Sequence, residues 1–205
     1  MSDSSFIDSK VRTGQRRIEA LVLGASAGGL QALAEILEGL PADFRLPLLV
    51  VQHIPADAPS RLAEVFALKT ALRVKEVDDK DALSPGTLYF AAPDYHLLVE
   101  ADFSLSLSQD EPVRFSRPSI DVLFESAAQV WGPHVAGVLL SGASDDGATG
   151  LHAIHLAGGL SIVQDPLEAL VDTMPRAALA RFTPDYVLPV KEIHRLLCKL
   201  ETSHV

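Results

Sequence analysis

The residues of this chain that could do chemistry stand in three short clusters. The first is Gly24-Ala25-Ser26-Ala27-Gly28-Gly29. Gly24-x-Ser26-x-Gly28 has the form of a nucleophile elbow, in which small neighbours let the backbone bend sharply and let substrate reach the serine hydroxyl. The N–H of Ala27 could then point at a developing oxyanion, helped by the N-terminus of the helix that follows. A dinucleotide-binding loop would need glycine in place of Ser26. A phosphate-cradling loop would need a lysine that does not follow Gly29. A purely structural turn stays open.

The second cluster is Val51-Gln52-His53-Ile54-Pro55. A histidine just past a buried strand could take the Ser26 proton and return it to a leaving alcohol. The plainer reading is a loop histidine with its hydrogen bonds satisfied. The third cluster, Ser141-Gly142-Ala143-Ser144-Asp145-Asp146-Gly147, carries two acids before a helix. Either could simply cap that helix, or could hold the His53 imidazole in the right tautomer and stabilise its cation. Spacing alone does not choose between Asp145 and Asp146.

Each cluster must be placed by the element before it. Ala20–Ala25, Leu46–Gln52 and His134–Leu140 read as short apolar strands, so all three clusters sit at strand carboxyl ends, where open α/β sheets build their sites. Helices are expected over Gly28–Leu40, over Pro59–Leu68 with Leu62, Val65, Phe66 and Leu68 inward, and over Ser119–Val130, Ala148–Ala157, Pro175–Arg181 and Lys191–Leu200. Leu160–Val163 and Tyr186–Leu188 are further strands. Four short β-like segments, Arg73–Val77, Thr87–Ala91, His96–Val99 and Phe103–Leu107, read together as a small antiparallel excursion. The fold class is α/β: a doubly wound, mainly parallel sheet with helices on both faces and that hairpin excursion. The chain order Ser, His, Asp differs from the Ser, acid, His of an α/β-hydrolase, so any triad here is built on another topology.

Composition narrows the setting. The 205 residues include 17 Lys+Arg and 27 Asp+Glu, a net charge of −10 that argues against nonspecific nucleic-acid binding. A single cysteine, Cys198, allows no internal disulfide and reads as a small core residue. Residues 1–17 read as a flexible polar tail without the apolar stretch of a secretory signal, and no membrane-spanning run follows, so a cytoplasmic protein with one domain over 18–205 is expected. Phe124 and Trp131 read as core. His152 and His155 lie three apart on a helix but lack a third metal ligand.

With these motifs in order, the chain resembles the catalytic domain of the bacterial chemotaxis protein-glutamate methylesterase family. Further matches are Ala91-Ala92-Pro93-Asp94-Tyr95-His96, Arg117-Pro118-Ser119-Ile120-Asp121 and Met174-Pro175-Arg176-Ala177-Ala178. The resemblance covers roughly residues 18–200. It implies hydrolysis of γ-glutamyl methyl esters on chemoreceptor signalling helices with release of methanol, and in some members deamidation of receptor glutamines. It implies Ser26 as nucleophile, His53 as base, Asp146 as its acid partner because that residue directly precedes Gly147, and backbone oxyanion donors at Ala27 and Ala143. It implies no metal or organic cofactor, and methylated receptor helices as partners, with a separate response regulator or kinase as a further one. Ala143 stands where the family usually has methionine, and Ser116 where it often has histidine. Only about 17 residues precede the catalytic region, too few for the phosphorylatable receiver domain of a typical member, so control by phosphorylation within this chain is not expected. Two rival readings stand beside the esterase: an anion- or nucleotide-binding module at the Gly24 loop, since glycine turns at helix N-termini suit anions, and a non-catalytic signalling partner.

Overall fold

The computed structural model describes residues 17–54 and 60–202. Strands β1 (Ala20–Ala25), β2 (Leu48–Gln52), β3 (Arg73–Glu76), β4 (Thr87–Phe90), β7 (Val135–Leu139), β8 (Leu160–Gln164) and β9 (Tyr186–Leu188) form one sheet in the order β3-β4-β2-β1-β7-β8-β9. Every pairing in it is parallel. Strands β5 (His96–Val99) and β6 (Leu105–Ser108) pair separately as an antiparallel hairpin.

The central strands are buried on both faces, which is why they read as continuous apolar runs rather than alternating ones. In β1, Leu21, Leu23 and Ala25 face one layer, packed by α1 (Gly29–Glu38), α2 (Leu62–Ala67) and α6 (Val190–Thr202). Ala20 and Val22 face the other, packed by α3 (Ile120–Trp131), α4 (Ala148–Leu156), α5 (Thr173–Arg181) and the hairpin. The chain leaves β1 toward β2 on one side, while β7 pairs on the other. Strand order therefore reverses at β1, and a crevice opens at its carboxyl end. Phe124 and Trp131 are core residues of the α3 layer.

Three expectations are corrected. β3 and β4 are not antiparallel. They extend the main sheet in parallel, with Arg73 opposite Thr87. No helix separates them, so the usual signature of a parallel crossover is missing. The Tyr89 hydroxyl instead ties the intervening loop, donating to the Ala82 carbonyl and accepting from the Ser84 N–H. Strand β6 begins at Leu105 because Phe103 sits in the turn with φ of 64°. In α2 only Leu62 and Phe66 point inward, whereas Val65 is 43% exposed and Leu68, beyond the last turn, 90%. A helix of six residues presents one narrow i, i+4 stripe and no more. Pro59, and the tail assigned to residues 1–17 apart from Arg17, lie outside the described residues. Among the described residues no helix is long and apolar enough to cross a membrane.

Candidate active site

Ser26 follows β1 directly. Its N–H donates to the Ser141 carbonyl at 3.0 Å, and its own carbonyl accepts from Gly29 N–H at 2.9 Å, closing the turn into α1. Two glycines make this turn feasible. A Cβ on Gly24 would stand 2.3 Å from Cγ2 of Ile120, so glycine lets the start of α3 press onto the end of β1. Gly28 has φ of +76°, a left-handed conformation that side-chain-bearing residues seldom adopt.

His53 follows β2, the parallel neighbour of β1, and its N–H donates to the Ala25 carbonyl at 2.9 Å. Its Nε2 lies 2.8 Å from Oδ2 of Asp146. That carboxylate is wholly buried. It also accepts the Ser119 hydroxyl at 2.8 Å and the N–H groups of Ile120 at 2.7 Å, Asp121 at 3.0 Å and Gly147 at 3.0 Å. Asp146 thus caps a helix, but that helix is α3, not the α4 that follows it in the chain. Burial pushes its carboxyl pKa up. The His53 hydrogen bond and the N–H groups of Asp121 and Ile120 pull it down further, leaving it below the usual carboxylate range. An ionised carboxylate only accepts, so the shared proton belongs to Nε2, which in a neutral ring leaves the lone pair on Nδ1. Asp145 goes elsewhere: it is exposed and pairs with the Arg114 guanidinium, whose Nε also donates to Asp121 at 3.1 Å. The choice that spacing left open is thereby made by partners: Asp146 alone of the two acids meets the imidazole.

The third strand tip closes around Ser26. The Ser141 hydroxyl donates to the Ala27 carbonyl at 2.8 Å and accepts from Val171 N–H at 2.9 Å. A Cβ on Gly142 would meet Met174 Sδ at 1.9 Å and Ser26 Cβ at 2.9 Å. The site therefore joins His53 to Asp146 and sets Ser26 on the adjoining strand tip. Among the described residues the Ser26 hydroxyl makes no hydrogen bond, to His53 or otherwise. No hydrogen bond from the N–H of Ala27 or of Ala143 is found among the described residues either. Beside His53 opens a cleft of about 230 Å³, lined also by Ile54, Asp94, Pro112, Phe115, Ser116, Arg117 and Pro118.

Sequence reasoning missed two glutamines. Gln52 ends β2, is buried, and its amide donates to the carbonyls of Ser26 at 3.1 Å and His53 at 3.0 Å. Gln164 ends β8 and accepts the Ser141 N–H at 2.8 Å. A glutamine ending a fully buried strand, otherwise apolar in β2 and interrupted only by Ser161 in β8, is the signal that could have found both. Gln52→Met keeps the length but removes the amide that links the two strand tips. Turnover of a small ester should fall about tenfold while stability drops by about 1–2 kcal/mol, read by steady-state kinetics and a denaturant melt.

The remaining candidates lie apart from this site. Cys198 is half-buried beside His194, and burial raises its thiol pKa, which suits packing rather than nucleophilic attack. His152 and His155 both lie against the Phe182 ring. Among the described residues no cluster of His, Cys, Asp and Glu could hold a metal ion.

Residues 21–197 match the model of the CheB methylesterase family. A Leptospira interrogans protein, provisionally named protein-glutamate methylesterase/protein-glutamine glutaminase, is 43% identical over 91% of this chain and 97% of its own length. A second relative, from Anaeromyxobacter dehalogenans and named protein-glutamate methylesterase/protein-glutamine glutaminase 2, is 43% identical over 90% of this chain. There the match spans 54% of the relative's length. The crystal structure of the Thermotoga maritima CheB methylesterase catalytic domain superposes with a TM-score of 0.85 at 31% identity, covering 89% of this chain and 98% of that one.

Proposed function

Since the chain belongs to the CheB methylesterase family, we propose that it is a serine esterase that hydrolyses γ-glutamyl methyl esters on chemoreceptor proteins and releases methanol. Receptor glutamines are deamidated by the same route, with ammonia leaving in place of methanol. The observation that carries this reading is the 2.8 Å bond from His53 to a buried, ionised Asp146 at the strand tip next to Ser26.

With Nε2–H held by Asp146, Nδ1 of His53 is the nitrogen free to act as base. It takes the Ser26 proton as Oγ attacks the ester carbonyl. The N–H groups of Ala27 and Ala143 hold the oxyanion. The imidazolium, balanced by Asp146, gives its proton to the departing methoxide. A water molecule, deprotonated by the same nitrogen, then attacks the acyl-enzyme, and the glutamate carboxylate and free Ser26 result. None of these steps calls on a cofactor. Ala143 keeps the backbone donor that a methionine would supply and leaves that wall of the site smaller. The reading places the enzyme in the cytoplasm, where receptor signalling helices are presented. An anion-binding role for the Gly24 turn is not favoured, because it gives the buried His53–Asp146 pair no task.

A fluorophosphonate probe should label one residue per chain, Ser26, and abolish methanol release from a methylated receptor cytoplasmic fragment. Peptide mapping of the adduct identifies the site. A folded chain that releases methanol and is labelled at another residue, or at none, overturns the assignment.

A further inference from the structure

We infer that His96 is a positioning residue for the His53–Asp146 pair, holding Ser119 so that the Ser119 hydroxyl keeps the Asp146 carboxylate aimed at His53. This rests on the esterase reading above and deepens it. His96 is 2% exposed, opens β5, and takes no part in the reaction steps. Its Nδ1 accepts the Ser119 N–H at 3.1 Å, and its Nε2 lies 3.2 Å from the Glu111 carbonyl oxygen. A backbone N–H only donates and a carbonyl only accepts. Nδ1 therefore holds the lone pair, Nε2 holds the proton, and the ring is neutral. Both ring nitrogens are occupied, so the imidazole is held at two points.

Ser119 is wholly buried. It precedes α3 in the extended conformation of an N-cap, with φ of −104° and ψ of 138°, yet its hydroxyl caps nothing in its own helix. A serine at that position ordinarily accepts a hydrogen bond from one of the first N–H groups of the helix. Here the N–H groups of Ile120 and Asp121 go to Asp146 instead. The Ser119 hydroxyl turns donor and joins them on the same carboxylate, at 2.8 Å. Its bond goes to Oδ1, while His53 takes Oδ2, so the two side chains hold opposite oxygens of one carboxylate. Ser119 thus offers its N–H to His96 and its side chain to Asp146. The bond to His96 sets the rotation of the residue that carries the hydroxyl.

The hydrogen bonds run without a break from the Glu111 carbonyl through His96, Ser119 and Asp146 to His53. The two segments that meet at His96 and Ser119 are joined twice. Arg117 Nη2 donates to Asp94 at 2.7 Å, and two residues further along each segment Ser119 N–H donates to His96. Val99 N–H, at the far end of β5, donates to the Ser126 hydroxyl at 3.2 Å, so the strand is fastened along α3 as well. The motifs Ala91–His96 and Arg117–Asp121, whose side chains the reaction steps leave idle, thereby find a shared task. Links of this kind count for most where no water can replace a lost partner, as at the buried His96 and Ser119.

The test compares His96→Asn with His96→Leu, two side chains of nearly the same shape. Neither reaches the Glu111 carbonyl, and only asparagine offers the Ser119 N–H an acceptor, its amide oxygen, in the place of Nδ1. His96→Leu should lower kcat about tenfold for both p-nitrophenyl acetate and a methylated receptor cytoplasmic fragment, with KM nearly unchanged. His96→Asn should stay within about threefold of wild type, although leucine suits a buried place better and its variant should melt no lower. Ser119→Ala cuts the next link and should cost about the same tenfold. The double variant His96→Leu/Ser119→Ala should lose no more than Ser119→Ala alone, because His96 acts only through Ser119. Equal losses in the Asn and Leu variants that follow their melting temperatures show a structural role and overturn the positioning one. Additive losses in the double variant, or wild-type kcat in His96→Leu, overturn it too. In each of these cases the esterase reading stands. A folded wild type that hydrolyses neither ester overturns the esterase reading and the positioning role together.

Discussion

Replacing Ser26 with alanine is expected to lower kcat for methyl-ester hydrolysis by about 10⁶, a loss of about 8 kcal/mol of transition-state stabilisation. The attacking oxygen disappears, so no acyl-enzyme can form, and any remaining turnover must come from a water attacking directly. The proposed oxyanion donors, the N–H groups of Ala27 and Ala143, belong to the backbone and survive the change, as does the His53–Asp146 pair. Residual catalysis of about 10³–10⁴ over the uncatalysed reaction should therefore remain. The fold should tolerate the substitution. The turn is held by the Ser26 N–H to Ser141, by its carbonyl to Gly29, and by Gln52, all backbone contacts of residue 26 that alanine keeps. Removing the Cβ neighbour is not at issue either, since alanine leaves the Ser26 Cβ that packs near Gly142. Methanol release measured on wild type and variant at matched thermal stability checks this. Equal rates would remove Ser26 from the mechanism.

Much of this site could be read before folding because its parts are strand ends. A buried parallel strand is a continuous apolar run, and a functional residue just beyond it interrupts that run, which is how Ser26 and His53 stand out. The two acids were harder. Asp145 and Asp146 are adjacent in the chain and alike in chemistry, and what separates them lies far away in sequence. Gly147, with φ of +87°, starts α4 while the N-terminus of α3 supplies donors to Asp146 and Arg114 draws Asp145 outward. The glutamine clamps were hidden for a similar reason, since the carbonyls that Gln52 holds belong to two different strand tips. The misreading of β3 and β4 has another origin. Parallel pairing is usually announced by a helix between the strands, and there a loop serves instead. The charged side chains of β3, Arg73, Lys75 and Glu76, suit its place at the edge of the sheet.

The acid is where a change of one atom should cost most after the serine itself. Asp146→Asn is expected to reduce kcat by about 10⁴, or about 5 kcal/mol, while Asp145→Asn changes it less than about threefold. Every one of the five groups facing Asp146 donates: Nε2 of His53, the Ser119 hydroxyl, and the N–H groups of Ile120, Asp121 and Gly147. An asparagine amide can keep an oxygen on one side only. With its NH₂ group toward His53 and Ile120, the imidazole must present Nε2 as an acceptor and move its proton to Nδ1, the nitrogen that should receive the Ser26 proton. The buried Ile120 N–H is then left facing a donor, at a cost of about 1–3 kcal/mol of stability. With the NH₂ group the other way round, it would face three donors instead of two. The variant should therefore fold less stably and titrate differently. The native Asp146, its pKa held below that of the unfolded chain, contributes stability in full above about pH 4, and that contribution is lost as the pH falls through the folded value. In Asp146→Asn this acid-side loss should shrink, so its stability profile below pH 4 should be flatter than that of wild type. Denaturant melts across that range, together with methanol release near neutrality, measure both effects. If Asp145→Asn were the damaging change and Asp146→Asn the silent one, the assignment of the acid would be reversed.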